Sequence, residues 1–215
     1  MDRNRVPIAV EGIPFVVAAG AIAVLFYLFN WRIPALFFTA ITLFIVWFFR
    51  NPERKIPSGQ NLVISPADGK IIDVSDGVEG RILKSRMLKI SIFMNIFNVH
   101  VNRIPCSGRI FDILYHPGKF ISASREKASL ENEQNAVVLE IPAGGKILFI
   151  QIAGLIARRI VCWIKKGDSV KMGQRFGLIR FGSRVDVYLP TDADVKVSIG
   201  QKVKGGESIP AILKK

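Results

Sequence analysis

The sequence predicts a mainly β protein, a β-sandwich domain preceded by an N-terminal transmembrane helical hairpin. Three observations carry that prediction. Two apolar runs, Ile13 to Phe29 and Ile33 to Phe49, flank a polar Asn30-Trp31-Arg32 turn. After Asn51 the pattern changes to short β-like runs broken by Gly and Pro. A turn motif, Gly167-Asp168-Ser169-Val170-Lys171-Met172-Gly173, returns in weaker form as Gly200-Gln201-Lys202-Val203-Lys204-Gly205-Gly206.

Each apolar run is about 17 residues, at the short end of a spanning helix. Arg3 and Arg5 precede the pair, Arg50, Arg54 and Lys55 follow it, and Arg32 alone sits in the turn. The positive-inside rule places both ends in the cytoplasm. The region is too long and too divided for a cleaved signal peptide and lacks a small-residue cleavage site. Pro14 and Pro34 leave open a hairpin that dips into one leaflet. The expected organisation is therefore an anchor over residues 1–55, with helices over 13–29 and 33–49, and a β-rich domain over 56–215.

Of 215 residues, 30 are Lys or Arg and 17 are Asp or Glu, a net charge of +13. That balance asks for an anionic partner, nucleic acid or an anionic membrane surface. The apolar N-terminus favours membrane, and no nucleic-acid-binding motif supports the alternative. Arg50, Arg54, Lys55, Arg81, Lys84 and Arg86 are candidates for a membrane-facing basic surface. Cys106 and Cys162 lack disulfide-framework or metal-ligand spacing and read as reduced packing residues.

In the second part, Leu62-Val63-Ile64, Ile71 to Val74, Leu88 to Phe93, Asn98 to Val101, Ala136 to Ile141 and Ile147 to Ile152 read as strands. A short helix is expected around Ser124 to Glu131. The Gly-Asp-x-Val-x-x-Gly repeat is similar to the turns of lipoyl- and biotinyl-type β-sandwiches. Its glycines allow positive φ at the turns, and its valine points inward.

Gly182-Ser183 carries the chemistry. A glycine carbonyl is open to close approach, and the Ser183 hydroxyl can attack it, moving the acyl group from nitrogen to oxygen. β-Elimination of the ester and hydrolysis would leave a pyruvoyl group at residue 183. Such an attack needs a base. The chain has two histidines, His100 and His116. Strand alternation puts Asn98, His100 and Asn102 on one face, either lining a site or simply wet. His116, before Pro117-Gly118, reads as a turn residue. A carboxylate orients a histidine base. Asp68, in Ser65-Pro66-Ala67-Asp68-Gly69, is placed either for that role or as a hairpin-turn residue. Asp186, the rival, points to the opposite strand face from Ser183.

Several motifs coincide in order: Phe48-Phe49-Arg50-Asn51-Pro52-Glu53-Arg54 after the apolar anchor, Ser65-Pro66-Ala67-Asp68-Gly69, Asn98-Val99-His100-Val101-Asn102-Arg103-Ile104-Pro105 with Gly108, His116-Pro117-Gly118-Lys119-Phe120, and Phe181-Gly182-Ser183. Together they resemble the short bacterial and archaeal, pyruvoyl-dependent members of the phosphatidylserine decarboxylase family. The resemblance implies self-cleavage at Gly182-Ser183 into fragments 1–182 and 183–215 that stay paired as a heterodimer. It implies a covalent pyruvoyl cofactor from Ser183 and maturation by Ser183, His100 and Asp68. It implies conversion of phosphatidylserine to phosphatidylethanolamine and CO₂ at the cytoplasmic side of the cell membrane, with no metal. Two positions depart from the longer members. Arg184 follows Ser183 where they often have threonine, and Phe97 stands where they often have a second histidine, so His100 serves alone. The alternatives are a non-catalytic membrane-anchored adaptor and a pyruvoyl decarboxylase acting on another serine-headgroup lipid. The adaptor leaves Gly182-Ser183 and the His100 segment unexplained.

Overall fold

A computed structural model describes residues 6–118, 132–142, 144–154, 159–180 and 183–214. The chain forms two compact units, Met1–Glu53 and Arg54–Lys215. In the first, a 3₁₀ turn (Val10–Gly12) runs into α1 (Ile13–Leu28), and α2 (Arg32–Phe48) follows. Pro14 lies in the first turn of α1, where a missing N–H costs nothing. Pro34 is the third residue of α2, also within its first turn. The Thr39 and Thr42 hydroxyls donate to the Ala35 and Phe38 carbonyls at 2.8 Å, so neither polar group is left to an apolar surrounding. The stretch Val10–Leu28 has a mean hydropathy of 2.0 and is long enough to cross a bilayer. With 16 residues in α1 and 17 in α2 the two helices are nearly equal in length, and α2 alone falls just short of that 19-residue stretch.

The second unit is β-structure. Its strands are β1 (Leu62–Val63), β2 (Gly69–Glu79), β3 (Ser85–Met94), β4 (Val101–Arg103), β5 (Gly108–His116), β6 (Gln134–Glu140) and β7 (Lys146–Ala153). Then follow β8 (Ile160–Cys162), β9 (Ser169–Val170), β10 (Arg175–Ile179), β11 (Ser183–Leu189), β12 (Asp194–Val195), β13 (Lys202–Val203) and β14 (Ala211–Ile212). The principal sheet runs β13-β2-β3-β11-β7-β6-β5-β9, and two smaller ones run β4-β10-β8 and β1-β14-β12. The paired strands are antiparallel. One apolar core joins the three: Val63 of β1, Ile92 of β3, Phe149 of β7, Phe176 of β10, Val185 of β11 and Ala211 of β14 are all buried in it. The Phe149 and Phe176 rings meet edge to face at 5.0 Å across the layers, completing the expected β-sandwich. The helix expected around Ser124 to Glu131 lies outside the described residues.

The repeated turn motif keeps its physical meaning. Gly167, Gly173, Gly200 and Gly206 all have positive φ, between 81° and 93°. Val170 and Val203 are buried on β9 and β13, the two edge strands of the large sheet. Cys106 is a free thiol in the core, and burial pushes its pKa up to about 12, leaving it unreactive.

One expected strand begins late. Asn98 to Val101 was expected to be extended, yet β4 starts at Val101. Asn95 and Asn98 close a local turn instead: Asn98 Oδ1 accepts the Asn95 N–H and Asn95 Oδ1 accepts the Phe97 N–H, both at 2.9 Å. Short amide side chains that bond nearby backbone compete with strand formation in this way.

The β2–β3 connection is organised by Glu79. Its carboxylate accepts the backbone N–H groups of Arg81, Ile82, Leu83 and Lys84. Burial opposes its ionisation, but those four amides outweigh burial and hold its pKa below the ordinary 4.5. A lowered folded-state pKa means stability present above the unfolded value and lost as pH falls through the folded one. The variant Glu79→Gln is therefore expected to be less stable than the parent at neutral pH, with the gap narrowing below about pH 4. Urea denaturation of both proteins across that range checks this.

Candidate active site

The site is assembled where three strands come level. Ser183 opens β11 and pairs with Met94 at the end of β3 on one side and with Ala153 at the end of β7 on the other. Lys70 of β2 lies opposite Phe93, and Phe93 opposite Arg184, so the Asp68-Gly69 corner is two strands from Ser183. Ser183 is completely buried, and its hydroxyl donates to the Met94 sulfur at 3.4 Å. A thioether is a weak acceptor, so it orients the hydroxyl without holding it tightly.

His100 precedes β4 and is buried, 3% exposed. Its carbonyl accepts the N–H of Ile179, the last residue of β10, four positions before Ser183. Nδ1 lies 2.9 Å from the Asn98 carbonyl oxygen. A carbonyl only accepts, so Nδ1 carries the proton and Nε2 is the basic nitrogen. The Asn98 turn thus sets the tautomer a general base needs. Asn102, in β4, is also fully buried and turns its amide toward the same Met94 sulfur at 3.7 Å. The wet-strand reading of the polar stripe is overturned: His100 and Asn102 face the interior.

Asp68 is not at a hairpin turn. Gly69 begins β2, where an added Cβ would strike the Phe93 carbonyl oxygen, so only glycine permits the close β2–β3 approach. The Asp68 carboxylate takes both oxygens to Arg54, at 3.0 and 2.8 Å, and accepts the Gly205 N–H at 2.7 Å. Among the described residues, the hydrogen bonds of Asp68 and of Ser183 Oγ do not reach the His100 ring. Arg54, with a side chain 10% exposed, belongs to this cluster and leaves the expected membrane-facing basic set. His116 is exposed and is the last residue of β5, paired with Gln134, so it lies in a strand and not in the expected turn. Gly182 lies outside the described residues.

Asp186 does face away from Ser183, as alternation requires. It forms a bidentate pair with Arg184, at 2.6 and 2.7 Å, buried on the opposite side of β11. Burial works against the Arg184 charge, but the Asp186 carboxylate more than offsets it and raises its pKa. The sequence reading missed Met94, Arg54 and Arg103. Arg103 donates to the Gly173 carbonyl at 2.9 Å, and its backbone N–H bonds Pro66, tying His100's segment to the Asp68 loop. Arg54 and Arg103 lie within motifs that carry the resemblance, which was the available signal for both; Met94 has none in local pattern.

Fold and site define a mainly β protein with an apolar N-terminal helix, whose candidate nucleophile is a buried serine opening a central strand. The family model for phosphatidylserine decarboxylase matches residues 41–211. A phosphatidylserine decarboxylase proenzyme of Geotalea uraniireducens is 53% identical over 99% of this chain and 100% of its own length. That of Syntrophus aciditrophicus is 53% identical over 94% of this chain and 95% of its own, and that of Syntrophotalea carbinolica 46% identical over all of both. The chain belongs to the phosphatidylserine decarboxylase family and is an enzyme of the carboxy-lyase class.

The Arg54–Asp68 pair is open to a direct measurement. Arg54→Ala strands a largely buried carboxylate and is expected to cost roughly 2–4 kcal/mol, between exposed and fully buried pairs. Adding Asp68→Asn removes the stranded charge, so the double variant should be more stable than Arg54→Ala alone in urea titrations.

Proposed function

We propose that the chain is the precursor of a membrane-attached enzyme that converts phosphatidylserine to phosphatidylethanolamine and CO₂. In this reading it makes its own cofactor by breaking the bond between Gly182 and Ser183. The observation that carries the reading is the place of Ser183: completely buried, at the first position of β11, between β3 and β7. A break just before it leaves the whole strand in place.

Ser183 Oγ adds to the preceding carbonyl while His100 Nε2 takes its proton. The carbonyl π pair moves onto oxygen. Collapse breaks the C–N bond, and the proton returns to the departing amine, giving an ester. Asp68 supplies the carboxylate of the arrangement. In the structure its oxygens accept from Arg54 and Gly205 while the His100 Nδ1 proton goes to the Asn98 carbonyl, so direct service to the ring requires His100 to release Asn98. Loss of the serine Cα proton, with the acyl-bearing oxygen departing as the Gly182 carboxylate, then gives dehydroalanine, whose hydrolysis releases ammonia and yields the pyruvoyl end of fragment 183–215.

The residues around position 183 fit such a group. It is built from residue 183's own atoms, and its neighbours Met94 and Ala153 are uncharged. A pyruvoyl carbonyl supplies the electron sink that loss of CO₂ from an amino acid requires. The chain's residues bury it, and His100 is the proposed acid–base group.

Fragment 183–215 would remain bound to fragment 1–182. It contributes β11 to the middle of the large sheet, β13 to its edge and β14 between β1 and β12. Gly205 and Glu207 also meet the Asp68–Arg54 pair. The anchor serves a substrate that stays in the bilayer, since each buried CH₂ holds it by about 0.8 kcal/mol. Val10–Leu28 is apolar and long enough for attachment, and the Arg and Lys residues flanking residues 13–49 favour the cytoplasmic side.

Intact-mass measurement of purified protein should show two fragments, the smaller with a blocked N-terminus. Ser183→Ala should give one uncut chain without activity, and His100→Ala should remain uncut. Asp68→Asn should mature more slowly. CO₂ release from phosphatidylserine, from another serine-headgroup lipid and from free serine identifies the substrate; release from free serine alone contradicts the lipid reading.

A further inference from the structure

Behind Met94 runs a line of buried amides that all point the same way, ending with a donor on the Met94 sulfur. Asn135 Nδ2 donates to Gln151 Oε1 at 2.9 Å, and Gln151 Nε2 donates to Asn102 Oδ1 at 2.8 Å. That leaves Asn102 Nδ2 directed at the Met94 sulfur, 3.7 Å away, on which the Ser183 hydroxyl also rests at 3.4 Å. Asn102 and Gln151 are completely buried and Asn135 nearly so. Buried amides are costly to strand, so each member fixes the rotamer and the flip state of the next. They come from β6, β7 and β4, which spans the principal sheet and one smaller sheet.

A methionine is the side chain least suited to hold another atom still, having three rotatable bonds and no strong acceptor. Here the sulfur receives a donor from each side, which restricts it. Ser183 shares its register row with Met94, so a fixed sulfur fixes the rotamer of the hydroxyl. We propose that Asn102, Gln151 and Met94 are positioning residues for Ser183 in the self-cleavage step. The relay from Asn135 sets the Asn102 amide, the amide pins the Met94 sulfur, and the sulfur holds Ser183 Oγ at the angle from which it leaves for attack. The weakness of the sulfur as an acceptor is part of the device, because the hydroxyl must later turn to the base. The inference rests on the maturation reading given above and concerns rate, not outcome.

Three variants of the full chain test it, with the fragments followed by gel and mass against time. Asn102→Asp keeps the size and the acceptor for Gln151 but replaces the donor with an oxygen. Gln151→Glu sets an acceptor against Asn102 Oδ1 and turns the Asn102 amide over. Met94→Leu keeps the volume and deletes the sulfur. Each is expected to slow cleavage about 10- to 100-fold, the scale of an ångström-level misplacement of a reacting group. For Met94→Leu the melting temperature should stay within a few degrees of the parent. Hydroxylamine, which cuts an ester and not an amide, should release correspondingly less fragment from the variant precursors, a readout that general loosening does not lower. Parental cleavage by folded Asn102→Asp or Met94→Leu overturns the proposal, as does slowing that merely tracks loss of thermal stability. If Asn102→Asp fails to fold, Met94→Leu decides. An uncut parent defeats the maturation reading itself, a result distinct from cleavage that is indifferent to the relay.

Discussion

The pairing of β11 with β3 and β7 is the constraint from which the rest follows. Both ladders begin at Ser183 and run without irregularity, to Leu189 against β3 and to Tyr188 against β7. A strand flanked on both sides cannot shift by one residue without moving Val185 and Val187 out of the core and Arg184 and Asp186 into it. Register therefore does two jobs. It buries the apolar half of β11, and it brings the first residue of the strand level with Met94 and Ala153. The position of the candidate nucleophile is a consequence of sheet packing, and that is the most rigid kind of support a side chain can have.

The second tier of support is the pair of related turns at Gly173 and Gly206. An added Cβ at either glycine would run into Ile56, and at Gly206 also into Arg103. Arg103 donates to the Gly173 carbonyl, and its own N–H bonds Pro66. Gly206 N–H bonds the Ser65 carbonyl. The segment that carries His100 and Asn102 is thus fastened to the loop that carries Asp68 through backbone groups and one buried guanidinium. These bonds join residues far apart in the chain and on both sides of position 183. A break there would leave them intact.

The fold was legible because its signals are periodic or stereochemical. Apolar runs mark α1 and α2, and glycines at positive φ with an inward valine mark the turns before β9 and β13. Ser183 and His100 were legible as residue types suited to chemistry, and Asp186 was correctly set aside by strand alternation alone. Partners were not legible. Met94 and Ser183 are 89 positions apart, Asn102 and Gln151 49 apart, and Gly205 and Asp68 137 apart. Nothing within a window of ten residues encodes such a meeting. Arg54 shows the same limit from the other side: its local context, beside an apolar helix and among cations, points to a membrane surface, but two carboxylates, Asp68 and Glu207, claim it. The Asn98 turn is an intermediate case, because two asparagines three apart compete with strand formation by a local mechanism the sequence does display.

The placement of charge completes the argument. A buried ion pair is a poor source of stability, since desolvation consumes most of its attraction. Yet Arg184 and Asp186 lie 2% and 0% exposed, one and three positions after the proposed nucleophile. Alternation sends them to the far side of β11, where each neutralises the other through two short hydrogen bonds. On the near side Ser183 Oγ meets sulfur, with an uncharged amide beyond it. Had the register been displaced by one, a guanidinium would lie where the hydroxyl now does. Its positive field would oppose proton transfer to a neutral histidine, because the imidazolium so formed would be repelled. For the proposed reaction, the pair keeps charge off the face that carries Ser183 Oγ, and it can do so only while it remains paired within its own strand.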